Sequence, residues 1–159
     1  MWKLLLVLVM ALLAGPALAE WKMVDVSEDG VAVYKAYVLD HTGAVELQFY
    51  CDQEFPGIFD LTVYTGEDFQ PKSNYPEDGE LAVSIGAEGV ATVTAFYHDF
   101  DGELLIFTTD FDVEGVGEVA MTMARATGDI GLTYYDRSYD FTADGAKSIL
   151  KQFLQTCPR

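Results

Sequence analysis

The chain predicts an α+β domain that is mostly β, with antiparallel strands in a sandwich-like arrangement and a C-terminal helix tethered by a disulfide. Three observations carry this. Runs of alternating, β-branched and aromatic residues recur between turn formers from residue 31 onward. An Asp-Gly pair joins two such runs at residues 101–102. The residues from Asp144 to Cys157 follow a helical period, and the other cysteine, Cys51, ends an apolar run.

The N-terminus stands apart from the domain. Residues 1–19 combine Lys3, an unbroken apolar stretch over 4–13, and an Ala17-Leu18-Ala19 cleavage pattern. This is the layout of a secretory signal peptide, too short to cross a bilayer of about 30 Å as a stable helix. Residues 20–159 then form one β-rich domain, and the expected location is the periplasm or the extracellular space. Losing Lys3 leaves 8 basic residues against 26 acidic ones, so the formal charge moves from −17 to −18.

Within the domain, a turn at 28–30 precedes a strand over 31–39, and Asp40-His41-Thr42-Gly43 returns the chain into a strand over 44–51. Residues 59–65 form the next strand, with Leu61 and Val63 on one face. The stretch 66–80, with two prolines and many polar residues, is a long loop. Strands follow over 81–85 and 90–98.

The hairpin around Asp101-Gly102 has the most specific signal. A type I′ turn there pairs Phe100 with Glu103, His98 with Leu105 and Phe96 with Phe107. One face then carries Phe96, Phe100, Leu105 and Phe107, the other Val93, Ala95, Tyr97, Leu104 and Ile106. Two apolar faces predict a hairpin covered on both sides.

Residues 117–127 fit a helix, with a strand as the alternative, and a last hairpin over 130–135 and 138–141 turns at Asp136-Arg137. The final helix has Asp144 as its expected N-cap and a stripe of Ile149, Leu150, Phe153, Leu154 and Cys157.

Two cysteines in an exported chain most often pair. A Cys51–Cys157 bond closes a loop of 107 residues. Chain entropy sets its contribution at about 4.7 kcal/mol. The alternatives are two buried thiols or a redox pair, and the absence of C-x-x-C argues against an oxidoreductase.

Residues 47–51 (LQFYC) and 139–157 (YDFTADGAKSILKQFLQTC) resemble two groups of small exported bacterial proteins. These are the type VI secretion-associated accessory proteins of the VasI/TagO type and the invasion-associated locus B proteins. The resemblance implies a periplasmic, non-catalytic accessory role, and it transfers no catalytic residue.

Negative charge of this size excludes nucleic acid and anionic membrane surfaces as partners. It leaves two explanations open, a basic protein partner or a saline habitat. Asp99, Asp101 and Glu103 at the hairpin tip, with Asp110, Asp112 and Glu114 beyond its second strand, form a candidate acidic interaction patch. A charged edge that discourages strand-to-strand aggregation is the blander explanation.

No metal site is expected. An EF-hand reading with Gly102 at position 6 puts Tyr97 at position 1 and Thr108 at position 12, where carboxylates are required. His98 and His41 lie in separate segments. No cofactor motif, nucleophile elbow or catalytic triad is present, so no catalytic residue and no cofactor are assigned. Tyr75, Tyr134, Tyr135 and Tyr139 suit an aromatic binding surface, although core packing accounts for them more simply.

The function this supports is non-catalytic: an accessory protein of the cell envelope that binds an envelope or secreted protein through its acidic surface. The alternatives are a carrier of a small apolar ligand and an inhibitor of a basic secreted hydrolase such as lysozyme.

Overall fold

A computed structural model describes residues 19–86 and 89–157. The expected signal peptide, apart from Ala19, lies outside the described residues. The strands are β1 (Lys22–Asp25), β2 (Val33–Leu39), β3 (Glu46–Asp52), β4 (Asp60–Asp68), β5 (Gly79–Ile85), β6 (Val90–Phe100), β7 (Glu103–Thr109), β8 (Ile130–Tyr134) and β9 (Arg137–Phe141). Helix α1 (Val116–Met123) falls between β7 and β8, and α2 (Ala146–Thr156) follows β9.

All strand pairs are antiparallel, in the order β1-β2-β3-β4-β7-β6-β5-β8-β9. The sandwich-like layout takes the form of one sheet in two halves that share β6. The first part of this 11-residue strand, up to Ala95, pairs with β5, and the part from Phe96 onward pairs with β7. Strands that change partners along their length are how sheets turn corners.

Period-2 alternation sets which side faces the core. Register aligns Ala36 with Phe49, Phe49 with Leu61, Val63 with Ile106, Ile106 with Tyr97, Val93 with Leu81, and Leu81 with Tyr134. All but Tyr97 are at most 5% exposed. Both helices pack on this side, α1 against β5 and β6 and α2 against β1 and β2, and they touch each other. The 117–127 segment is thus helical up to Met123, burying Val116, Val119, Ala120 and Met123.

The central hairpin has the register its Asp101-Gly102 turn demands, with φ of +53° and +87° at the two residues. Its two faces are not equally covered, which corrects the expectation. Leu104 and Ile106 are fully buried, whereas Phe100 on the opposite face is 57% exposed. Leu105 on that open face is nevertheless buried. Around it the Tyr64 and Phe100 rings meet edge to face, and the His98 and Phe107 rings are in contact. Large neighbours on the same pleat shield Leu105 where a second layer was expected.

Three local expectations also change. The last hairpin turns at Tyr135-Asp136, because Tyr134 pairs with Arg137 and Arg137 opens β9. Asp144 is not the N-cap of α2. That position belongs to Gly145 at φ +82°, a left-handed conformation that glycine adopts without strain. Asp144 instead offers its carbonyl to the Trp21 N–H at 3.0 Å. Strand β1 has no counterpart in the sequence reading. It is recruited by Trp21, whose indole N–H donates to the Thr142 carbonyl at 2.9 Å and whose ring stacks on Phe49.

Cys51 and Cys157 are bonded, with Cα atoms 6.1 Å apart. The bond fastens the end of α2 to β3, where Phe153 also contacts Phe49 and Phe59.

Candidate functional site

The six acidic residues of the candidate patch divide between the two ends of β7. Asp99, Asp101 and Glu103 sit at its start, and Asp110, Asp112 and Glu114 follow its last residue, Thr109. Seven residues at about 3.4 Å each separate the groups by roughly 20 Å.

Part of each triplet serves the fold. At the hairpin tip, the Asp99 carboxylate accepts the Gly102 N–H, and the Glu103 carboxylate accepts the Gly66 N–H at the irregularity in β4. At the other end, Asp110 accepts the Gly115 and Val116 N–H groups through Oδ1 and the Phe59 N–H through Oδ2. It therefore satisfies donors at the start of α1, which has no side-chain cap from Gly115. Asp101, Asp112 and Glu114 are exposed.

The Asp110 end also carries two aromatic rings. Phe55 and Phe111, 46% and 59% exposed, meet edge to face with centroids 4.9 Å apart. Their contact joins the loop after β3 to the loop after β7. Asp52 and Glu54 precede Phe55, and Asp110 and Asp112 flank Phe111. The Asp52 carboxylate accepts the Glu54 and Phe55 N–H groups, which fixes the loop that presents Phe55.

Asp60, at the start of β4, lies within this acidic end. Burial pushes its carboxyl above the usual range, against the lowering effect of a hydrogen bond with Thr109, and the charges of Asp52, Asp110 and Asp112 push the same way as burial. Its Oδ1 is buried and has no partner among the described residues.

The opposite end of the sheet holds an open cleft of about 730 Å³ lined by Gln70, Asn74, Tyr75, Pro76, Tyr97, Tyr135, Asp136 and Arg137. Tyr97, on β6, is its centre. Its ring centroid lies 4.7 Å from that of Tyr75, 4.9 Å from Tyr134 and 6.2 Å from Tyr135. Each ring is held by a polar bond. The Tyr75 hydroxyl accepts the Gln70 N–H, the Tyr134 hydroxyl donates to the Ala95 carbonyl, and the Tyr135 hydroxyl donates to the Asp78 carbonyl. Gly79 lets the Tyr135 ring lie against the strand, because a Cβ there would overlap the ring where it sits.

Arg137 ties the cleft together. Its guanidinium makes a two-pronged pair with Glu67, at 3.4 and 2.8 Å, and Nη1 donates to the Tyr97 hydroxyl at 3.1 Å and to Asp136 at 3.2 Å. It also lies over the Tyr97 ring, 5.4 Å from the centroid. The hydrogen bond to Glu67 holds Arg137 firmly protonated. Burial, with the Glu67 charge, pushes the neighbouring Tyr139 hydroxyl up to about 12, and that hydroxyl has no partner among the described residues.

Of the four tyrosines singled out from sequence, Tyr75 and Tyr135 line the cleft, Tyr134 is fully buried behind them, and Tyr139 is half-buried beside Arg137. Sequence reasoning missed Tyr97, Glu67 and Arg137, having placed them in the core, in a loop and in a turn. The available signal was the equal length of IGLTY and RSYDF, which leaves two residues for the turn and puts Arg137 in the strand.

His98 is exposed, with its ring beside Phe107. Among the described residues no three His, Cys, Asp or Glu side chains are grouped to hold a metal ion, and no helix is long and apolar enough to cross a membrane. Comparison with protein-family models, curated proteins and solved structures returns no match.

Proposed function

We propose that this chain is a non-catalytic binding protein acting outside the cytoplasm, where it engages a basic protein partner through its Asp110 end. One observation carries the reading: two exposed phenylalanines in mutual contact, Phe55 and Phe111, flanked by Asp52, Glu54, Asp112 and Glu114. An exposed aromatic pair supplies apolar area at small entropic cost, as interface anchors do. The carboxylates around it steer a cationic surface and repel an anionic one. The Cys51–Cys157 bond suits an oxidising compartment. A periplasmic accessory role also agrees with the likeness of residues 47–51 and 139–157 to the exported accessory proteins. Inhibition of a basic secreted hydrolase such as lysozyme is one specific form of this activity.

The immobilised protein, incubated with an envelope extract of its source cells, is expected to retain a protein of net positive charge. Phe55→Ser with Phe111→Ser, and separately about 0.5 M salt, are each expected to release it, because one removes the anchors and the other screens the steering. Equal retention by the double variant, or recovery no greater than on blank resin at low salt, rejects the reading.

A further inference from the structure

We infer that the Tyr75–Tyr97–Tyr135 cleft is a binding site for a neutral oligosaccharide. The cleft lies at the other end of the sheet from Phe55 and Phe111, and its chemistry is independent of that surface.

The argument starts from the shelf of rings. Tyr97 touches both Tyr75 and Tyr135, and all three hydroxyls are engaged, with the Gln70 N–H, the Arg137 Nη1 and the Asp78 carbonyl. Tyr75 also packs on Phe69, and Arg137 lies over Tyr97. The cluster thus backs the half-exposed Tyr135 ring, whose face is oriented before any ligand arrives, and binding incurs little ordering cost. Electron-rich aromatic faces attract polarised C–H groups, which a pyranose ring presents on its flat side. The volume of about 730 Å³ falls within the ~300–1,000 Å³ range of small-ligand sites.

The rim selects among ligands that fit such a shelf. Gln70 and Asn74 offer amides, which both donate and accept, and Asp136 offers a carboxylate with a side chain 87% exposed. Its Oδ1 accepts from Arg137 Nη1, and sugar hydroxyls supply donors to the remaining oxygen. A proline-rich segment, the other common occupant of tyrosine-lined grooves, offers backbone carbonyls and no N–H at its prolines, so it leaves Asp136 unmatched. A quaternary ammonium group has no N–H donor or acceptor, so it offers no hydrogen bond to the Gln70 and Asn74 amides or to Asp136. An anionic ligand meets Asp136 on a chain of net charge −17, with the Arg137 charge already paired to Glu67. The four hydrogen bonds of Arg137 leave one of its five N–H groups for a hydroxyl. A neutral polyol ring system satisfies every group on this rim.

The test is a glycan array carrying neutral, sialylated and uronate-containing oligosaccharides, with decaproline as a further probe, followed by calorimetric titration of the strongest neutral binder. Neutral glycans alone are expected to bind. Tyr135→Asn, which keeps a residue tolerant of the φ of +53° at that position, is expected to weaken binding at least tenfold. Asp136→Ala is expected to weaken it severalfold with an unchanged thermal melt, so it decides the matter should Tyr135→Asn fold poorly. Absence of any neutral binder, preference for decaproline or for acidic glycans, or affinity untouched by Asp136→Ala overturns the proposal.

Discussion

Residues that look interchangeable in sequence have opposite duties in the fold. Asp110, Asp112 and Glu114 alternate with Phe111 and Val113, yet only Asp110 receives three backbone N–H groups. Asp110→Ala removes these acceptors and leaves partly buried donors unpaired, a loss of about 1–3 kcal/mol. Asp112→Ala and Glu114→Ala fall within about 0.5 kcal/mol of the parent. Urea unfolding of the three variants checks the ranking, and equal midpoints contradict it. Asp60 behaves in the reverse sense. Burial raises its carboxyl, so the folded chain holds that proton more tightly than the unfolded chain does. Its contribution is fully favourable below the ordinary carboxylate value and is lost as pH rises through the raised one. Ionised Asp60 therefore weakens the fold at neutral pH. Asp60→Asn is expected to raise the melting temperature by a few degrees at pH 7 and to leave it unchanged near pH 3.5. Calorimetric melts at the two pH values measure this, and a lower melting temperature for the variant at pH 7 contradicts it.

At the scale of elements, legibility followed local chemistry. The β6–β7 hairpin was readable because an Asp-Gly turn fixes register within four residues. The stripe of α2 was readable because Leu150, Phe153 and Cys157 share one face of a regular helix. The N-cap of α2 was not, because Asp144 is held by a contact with Trp21, more than 120 residues away in sequence. Strand β1 escaped for the same reason, since nothing in KMVD distinguishes it from a terminus until Trp21 docks. The tyrosine cleft was half legible: its aromatic residues were visible, but the one-residue displacement of the last turn hid Arg137, and with it the pair to Glu67. The acidic patch was misjudged in extent because sequence proximity across β7 spans the full length of a strand. The disulfide joins two elements that hold few other covalent constraints, so its loss is expressed in how α2 is held. Cys51→Ala with Cys157→Ala is expected to lower stability by about 3–5 kcal/mol. Guanidinium unfolding of this variant against the oxidised parent measures the cost, and a loss under about 1 kcal/mol would show that packing of Phe153 alone secures α2.

Over the whole molecule, the charge of −17 and the core cluster of the described residues work against each other. Repulsion among exposed carboxylates opposes compaction, and the unbroken apolar seam from Trp21 through Phe49 to Phe153 resists it. Among the described residues, three cationic side-chain contacts with acids relieve little of that repulsion, and two of them belong to Arg137. The sheet thereby keeps two chemically distinct ends, one aromatic and carboxylate-rich, the other a tyrosine shelf. A protein with both ends occupied would bridge a glycan and a polypeptide. The Cys51–Cys157 bond gives such a bridge an unequal mechanical character. When tension is applied to the chain at Trp21 and at the residues following Cys157, force passes directly from Cys51 to Cys157 through the bond. Residues 52–156 lie outside this covalent path, so they cannot be drawn out as a linear chain while the bond is intact. Only β1 to β3 can peel away, about 30 residues or roughly 100 Å of slack. The oxidised molecule is a short tether, and reduction turns the same chain into one that extends along its full length.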